Sequence, residues 1–242
     1  MEDPKTAIVT GAGKRVGAYV AAALLEREWS VVAHVRRSSD EVAQGAVKAA
    51  ADLMSLDCAE TIFAAAEGLP PVRLLVNNAA RFAWDGFGEF SAEEFDAHLH
   101  VNVRAPILLI EALAERHESG DSLVVNLLDS KLAAPNPDFL SYTVSKQALF
   151  GLTEVAARAL ASAGIRVNAI APALMLKSAG QSDENYRAMH KRNPLGRGVT
   201  PADVMAAIDY LVATRVVTGQ VLTLDGGQRF DPPGRDVQFL EV

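Results

Sequence analysis

Tyr142 and Lys146 stand four residues apart in a segment, Asp138 to Ala161, with helical spacing, so a phenol and an ammonium share one face. A free tyrosine titrates near ~10, too high to exchange protons easily at neutral pH. An ammonium beside it stabilises the phenolate and is expected to lower that value. Such a pair can donate and recover a proton during a reduction. Shortly before it lies Asn126-Leu-Leu-Asp-Ser130, with Asp129 and Ser130 adjacent. A hydroxyl such as Ser130 can polarise a carbonyl oxygen. A carboxyl such as Asp129 can relay a proton to a ring nitrogen or bind its protonated form. The sequence leaves both readings open.

A second group lies near the N-terminus. Thr10-Gly-Ala-Gly-Lys-Arg-Val-Gly17 follows the apolar run Ala7-Ile8-Val9 and opens a helical segment. Gly11, Gly13 and Gly17 permit a tight turn and close backbone approach. Lys14, Arg15 and Val16 then fall at a helix N-terminus, where a phosphate is favoured. The next apolar run ends in His34-Val-Arg-Arg-Ser-Ser39, with no acid until Asp40. A carboxylate there would bind ribose hydroxyls and repel a 2′-phosphate. Arg15, Arg36, Arg37 and Ser38 would instead hold that phosphate through charge-assisted hydrogen bonds.

These groups need a scaffold, and apolar runs alternate with helical patterns along the chain. Strands are expected at Ala7–Val9, Ser30–Val35, Ala51–Leu53, Val72–Val76, Leu123–Leu128, Ile165–Ala171 and Gln220–Leu224. Helices are expected at Arg15–Glu28, Ser39–Ala49, Cys58–Glu67, from Ser91 to about Glu118 with a bend at Pro106, at Asp138–Ala161 and at Pro201–Ala213. Ser91 and Glu94 have the spacing of a capping box. This rhythm predicts a single α/β domain: a seven-stranded parallel sheet with helices on both faces and ligands at the carboxyl ends of the strands. Pro172–Arg197 reads as one long irregular stretch, a lid.

The Thr10–Gly17 loop, Asn77-Asn-Ala-Ala80 and Tyr142-Thr-Val-Ser-Lys146 resemble the short-chain dehydrogenase/reductase family. Asn102, Asn168 and Asp225-Gly-Gly227 fit its order, and the resemblance runs from Lys5 to about Phe230. It implies a Rossmann-type sheet, a nicotinamide cofactor and a homotetramer. With the arginines and without an acid after the second strand, that cofactor is expected to be NADPH/NADP+. Lys146 would hold the nicotinamide ribose. The backbone carbonyl of Asn102 would hold a water linked to Lys146. Asn78, Ala79 and Ala80 would line the cofactor, as would Pro172 and Leu174 at the start of the lid. His34 is expected to pack under the adenine edge. Asp52, beside Leu53, either meets the adenine amino group or caps a helix.

Two departures narrow the resemblance. Arg15 stands where the family loop TGxxxGxG has its middle glycine, and Asp129 stands thirteen residues before Tyr142, where the family has serine. Both departures resemble the pteridine and dihydromonapterin reductase branch. In that branch an aromatic at the place of Phe82 stacks the pterin ring over the nicotinamide. Leu176, with Leu174 and Met175, would form an apolar wall. The implied reaction is hydride transfer to a C=N bond of a pterin or dihydropterin. The alternative is reduction of a ketone such as a 3-oxoacyl thioester, for which Ser130, one place late, would serve as the family serine. The tail from Arg229 to Val242 is expected to approach a neighbouring subunit.

Bulk properties exclude other classes. The net charge is −7, which argues against a nucleic-acid or acidic-membrane surface. Cys58 is the only cysteine, so no internal disulfide forms, and a reducing cytoplasm fits. No apolar stretch is long enough to cross a membrane, and no signal peptide is expected.

Overall fold

The computed structural model describes residues 3–178 and 180–241. Its strands are β1 (Thr6–Val9), β2 (Ser30–Val35), β3 (Val47–Ala50), β4 (Val72–Asn77), β5 (Ser122–Leu127), β6 (Ile165–Pro172) and β7 (Val221–Leu224). They form one sheet in the order β3-β2-β1-β4-β5-β6-β7, and every neighbouring pair is parallel. The order reverses between β1 and β4, which leaves a crevice at their carboxyl ends.

The central strands are apolar on both faces, so both faces must be covered. Helices α1 (Arg15–Glu26) and α7 (Pro201–Ala213) close one side around Val20, Leu24, Val204 and Ile208. Helices α2 (Cys58–Ala64), α4 (Ala105–Arg116) and α5 (Leu140–Leu160) close the other around Ile62, Leu109, Leu113 and Ala156. Helix α3 (Ala92–Leu99) leads into α4 through a π turn, His100–Arg104. Thr200 starts α7 with a reciprocal capping box to Asp203.

Several expectations need correction. Residues 39–46 are not helical, and Gly45 at φ +95° turns the chain there. The third strand lies at Val47–Ala50 rather than Ala51–Leu53, because the open edge of β2 pairs with it. Between α3 and α4 the helix widens into the π turn, and Pro106 sits in the first turn of α4, where its missing N–H is tolerated. Only half of the Ser91 box forms: its hydroxyl accepts from the Glu94 amide, while the Glu94 carboxylate pairs with Arg81. The lid is not wholly irregular, since it contains α6 (Asp183–His190), capped by Ser182.

Arg166, on β6, is a buried structural cation. Its guanidinium donates to both oxygens of Asp121 at 2.8 and 3.0 Å, and to the carbonyls of Leu211, Thr214 and Val217 at the end of α7. Losing it strands a carboxylate and several carbonyls together. Arg166→Met is expected to destabilise the fold by about 3 kcal/mol, lowering the thermal midpoint by roughly 6–12 °C for a chain of this size. Calorimetry or circular dichroism melting checks this.

Candidate active site

The turn between β1 and α1 is built by close approaches. A Cβ on Gly17 would stand 2.3 Å from the Gly11 carbonyl oxygen and 2.5 Å from the Asn78 side-chain nitrogen. The first turn of α1 can therefore sit on the loop only without a side chain there. Asn78 pins the loop: its amide donates to the Thr10 carbonyl at 2.8 Å, and the Thr10 hydroxyl accepts from the Asn78 and Ala79 amides at 3.0 Å each. The second strand contributes His34, buried beneath the turn with both ring nitrogens on backbone groups. It is held by the loop as much as by any surface for adenine.

Gly11, Gly17, His34, Asn78 and Ala79 line a cavity of about 1050 Å³ together with Gly13, Lys14, Val16, Ala80, Asp52 and Leu53. Arg36 and Arg37 reach it as well, and both are mostly exposed. Arg36 pairs with Asp52 at 3.3 Å and Arg37 with Asp40 at 2.9 Å. Asp52 also accepts from the Met54 amide, so it serves as a turn cap while facing the cavity. Leu53 is buried in the core beside α2. Ser38 is exposed, and its carbonyl takes the Lys48 ammonium.

Arg15 explains why this loop lacks its usual glycine. It keeps the glycine-like backbone, with φ +55°. Its guanidinium crosses to the lid and donates to the carbonyls of Leu176 and Lys177 at 3.2 and 3.0 Å. Arg15, expected to hold a 2′-phosphate, lines the cavity and here also bridges the loop to the segment after β6. Pro172 ends β6, Leu174 follows half-buried, and Met175 and Leu176 pack on the core that α1 covers. Tyr186, on α6, holds the Met175 carbonyl at 2.8 Å.

Tyr142 and Lys146 sit near the start of α5. Lys146 is 2 % exposed and donates to the Leu127 carbonyl at 2.6 Å. Burial lowers its pKa to about 8. Tyr142 donates from its hydroxyl to Asp129 at 3.0 Å. Its pKa is not lowered, as the pairing with Lys146 suggested. Burial pushes it well above the usual value, and the Asp129 charge pushes it further. Ser130 starts a short 3-10 turn, and among the described residues no hydrogen bond joins it to Tyr142. The geometry therefore brings Asp129, and not Ser130, to the phenol.

Asn102 lies in the π turn, fully buried. Its side chain accepts from the Arg81 amide at 2.7 Å and donates to Ser145 on α5 at 2.9 Å. Phe82 stacks on Phe139 with ring centroids 4.3 Å apart and meets Tyr142 edge-on at 4.7 Å.

Sequence reasoning missed the groups that hold α5 in place. Buried Asp85 accepts from the Ser141 amide at 2.9 Å and from its hydroxyl, which caps the helix one turn before Lys146. Asp138 takes the Arg235 guanidinium and the Asp236 amide, both from the tail. Phe239 stacks on Phe139 at 6.0 Å, and Lys131 lies 3.9 Å from Asp236. The tail thus closes over its own subunit's site. Asp85 precedes its partner by 56 residues and Arg235 follows Asp138 by 97, so local spacing held no signal. Among the described residues no cluster of His, Cys, Asp and Glu could hold a metal, and no helix is long and apolar enough to cross a membrane.

A glycine-walled cleft at the switch point of a parallel sheet, with a buried Tyr–Lys pair beside it, is the architecture of a dinucleotide-dependent oxidoreductase. The family model described as enoyl-(acyl carrier protein) reductase matches residues 11–229. The chain belongs to this family, within the short-chain dehydrogenase/reductases. It is similar to dihydromonapterin reductase of Klebsiella pneumoniae, at 30 % identity over 94 % of this chain and 98 % of that protein. It is also similar to L-xylulose reductase of Bos taurus, at 32 % identity over 92 % and 96 %. Among solved structures it resembles FolM alternative dihydrofolate reductase 1 from Brucella suis in complex with NADP. The TM-score is 0.89 and the identity 34 %, covering 94 % of this chain and 96 % of the other.

The Asp129 contact has a spectroscopic consequence. Asp129→Asn removes one charge that holds the Tyr142 proton, so the tyrosine is expected to titrate at lower pH. Ultraviolet absorbance of the phenolate, with Tyr142→Phe as the reference, reads the shift.

Proposed function

We propose that this protein is an NADPH-dependent reductase of a pterin or dihydropterin C=N bond. The observation that carries this reading is the Tyr142 hydroxyl on the Asp129 carboxylate, with Phe82 edge-on to the same phenol. Reducing C=N delivers a hydride to carbon and a proton to nitrogen. A carboxyl beside the phenol suits the nitrogen, whereas a ketone oxygen needs only a hydroxyl donor.

The cleft fits the cofactor. Gly17 leaves no room for a Cβ, the amides of the loop open α1, and Arg36 and Arg37 offer exposed cations where a 2′-phosphate is recognised. When bound, the nicotinamide supplies the hydride. Lys146 keeps one donor on Leu127, and its remaining donors would hold the ribose of a bound cofactor. Tyr142 and Asp129 hold the proton that the ring nitrogen receives, and the Phe82 ring offers an apolar platform for a flat heterocycle. Asn102 orders the π turn against α5. The reading extends to one domain over residues 1–242 and to a cytoplasmic homotetramer.

A ketone reductase is the second reading, favoured by the similarity to L-xylulose reductase. NADPH oxidation with a dihydropterin and, separately, an acetoacetyl thioester distinguishes the two. Turnover of the pterin, with a loss of about 10²-fold or more in kcat for Tyr142→Phe, is expected. Turnover of the thioester alone, with Asp129→Ala silent and Ser130→Ala inactive, would overturn the pterin reading.

Lys146 also carries a stability cost. Its folded pKa of about 8 lies below its ordinary value of 10.5, so the unfolded chain binds more protons between these limits. Its contribution to stability therefore rises as pH climbs from about 8 towards 10.5 and is least favourable below that window. Lys146→Met is expected to stabilise the fold at pH 7 by about 1–3 kcal/mol while abolishing turnover. Paired melting and activity measurements check both halves.

A further inference from the structure

His34 is 2 % exposed and makes three contacts with backbone groups. The Gly11 amide donates to its Nδ1 at 3.1 Å. Its Nε2 lies 3.0 Å from the Ala51 carbonyl oxygen. Its own carbonyl accepts from the Ala12 amide at 2.8 Å. An amide can only donate and a carbonyl can only accept, so the ring contacts fit one form alone: a neutral imidazole with its proton on Nε2. One residue thus fixes two consecutive amides of the phosphate loop. Through Ala51 it also ties that loop to the segment carrying Asp52 and Leu53, which line the same cavity.

We infer that His34 is a positioning residue for the dinucleotide, setting the phosphate turn against the segment that follows β3 through its neutral Nε2–H form. The inference rests on the cleft being an NADPH site and is independent of the substrate. An imidazolium cannot accept from the Gly11 amide, so protonation breaks the bridge on its loop side. Burial holds the His34 pKa below 6.5, with the Ala51 carbonyl and then the Asp52 charge opposing. The other charged groups facing this cavity are Lys14 and Arg15 from the loop, Arg36 and Arg37 after β2, Asp40 and Glu41 from the following turn, and Arg81 after β4. The sign follows: the bridge is intact at neutral pH and is lost as pH falls through the folded pKa.

The test is NADPH affinity by fluorescence titration, from pH 5 to 8, for the wild type, His34→Gln and His34→Leu. A glutamine can accept and donate across the same gap but does not titrate. At pH 7.5 the Gln variant is expected to bind within about threefold of wild type and the Leu variant at least tenfold more weakly. Saturating NADPH should restore kcat in both. On acidification the wild type should lose more affinity than the Gln variant, and the cofactor's own phosphate titration is common to both. Leu binding as tightly as wild type, Gln as weak as Leu, or one shared pH profile for wild type and Gln each overturns the inference while leaving the cofactor reading standing. Absence of NADPH binding by the wild type overturns both. Should the Leu variant fail to fold, the wild-type and Gln profiles decide.

Discussion

The buried ammonium of Lys146 on the Leu127 carbonyl is the contact around which the catalytic end is organised. A desolvated cation is costly unless its partners are fixed. Here the partner is the last residue of β5, itself locked between β4 and β6. The bond sets the height of α5 against the sheet, and Tyr142, one turn earlier, falls beside Asp129 at the end of the same strand. Asp85 and Asp138 brace the N-terminus of α5 from two directions, where its amides favour negative charge. Phe139 stands between them in the left-handed region, at φ 57°. Such a backbone is retained only where its surroundings over-determine it, and the stack of Phe82, Phe139 and Phe239 supplies that constraint.

Charge decides what this arrangement can do before a cofactor arrives. Asp129 and burial together hold the Tyr142 proton firmly. The resting phenol is a poor acid, and the Lys146 ammonium on the same helix face donates to the Leu127 carbonyl. Electrostatics of this kind are cheap to prepare in a folded scaffold and costly to rearrange during a reaction.

The sheet was legible in the sequence because buried parallel strands are written as apolar runs, and six of the seven follow theirs closely. β3 escaped because it is an edge strand with Val47, Lys48 and Ala50 exposed, so no apolar run marks it. The π turn escaped because five residues, His100–Arg104, barely disturb a helical period. Gly11, Gly17, Tyr142 and Lys146 were readable because their chemistry demands fixed spacing. Asp129 was readable only as one of two candidates, since a one-residue offset is undecidable until a backbone places each side chain. Arg15 was recognised as anomalous, yet its reach to Leu176 and Lys177 crosses more than 160 residues of chain. The short helix α6 had a signal that went unused, Ser182 followed by Asp183 and Glu184.

Arg15 joins the first loop of the fold to one of its last, and a joint of this kind works in both directions. Whatever free energy the segment after β6 gains from the guanidinium is available in equal measure to the phosphate turn, because coupling between two sites is reciprocal. Neither the phosphate turn nor the segment carrying Leu176 and Lys177 can shift without the other giving up the guanidinium. A glycine at position 15 would keep the turn but lose the side chain that joins these two segments of the chain.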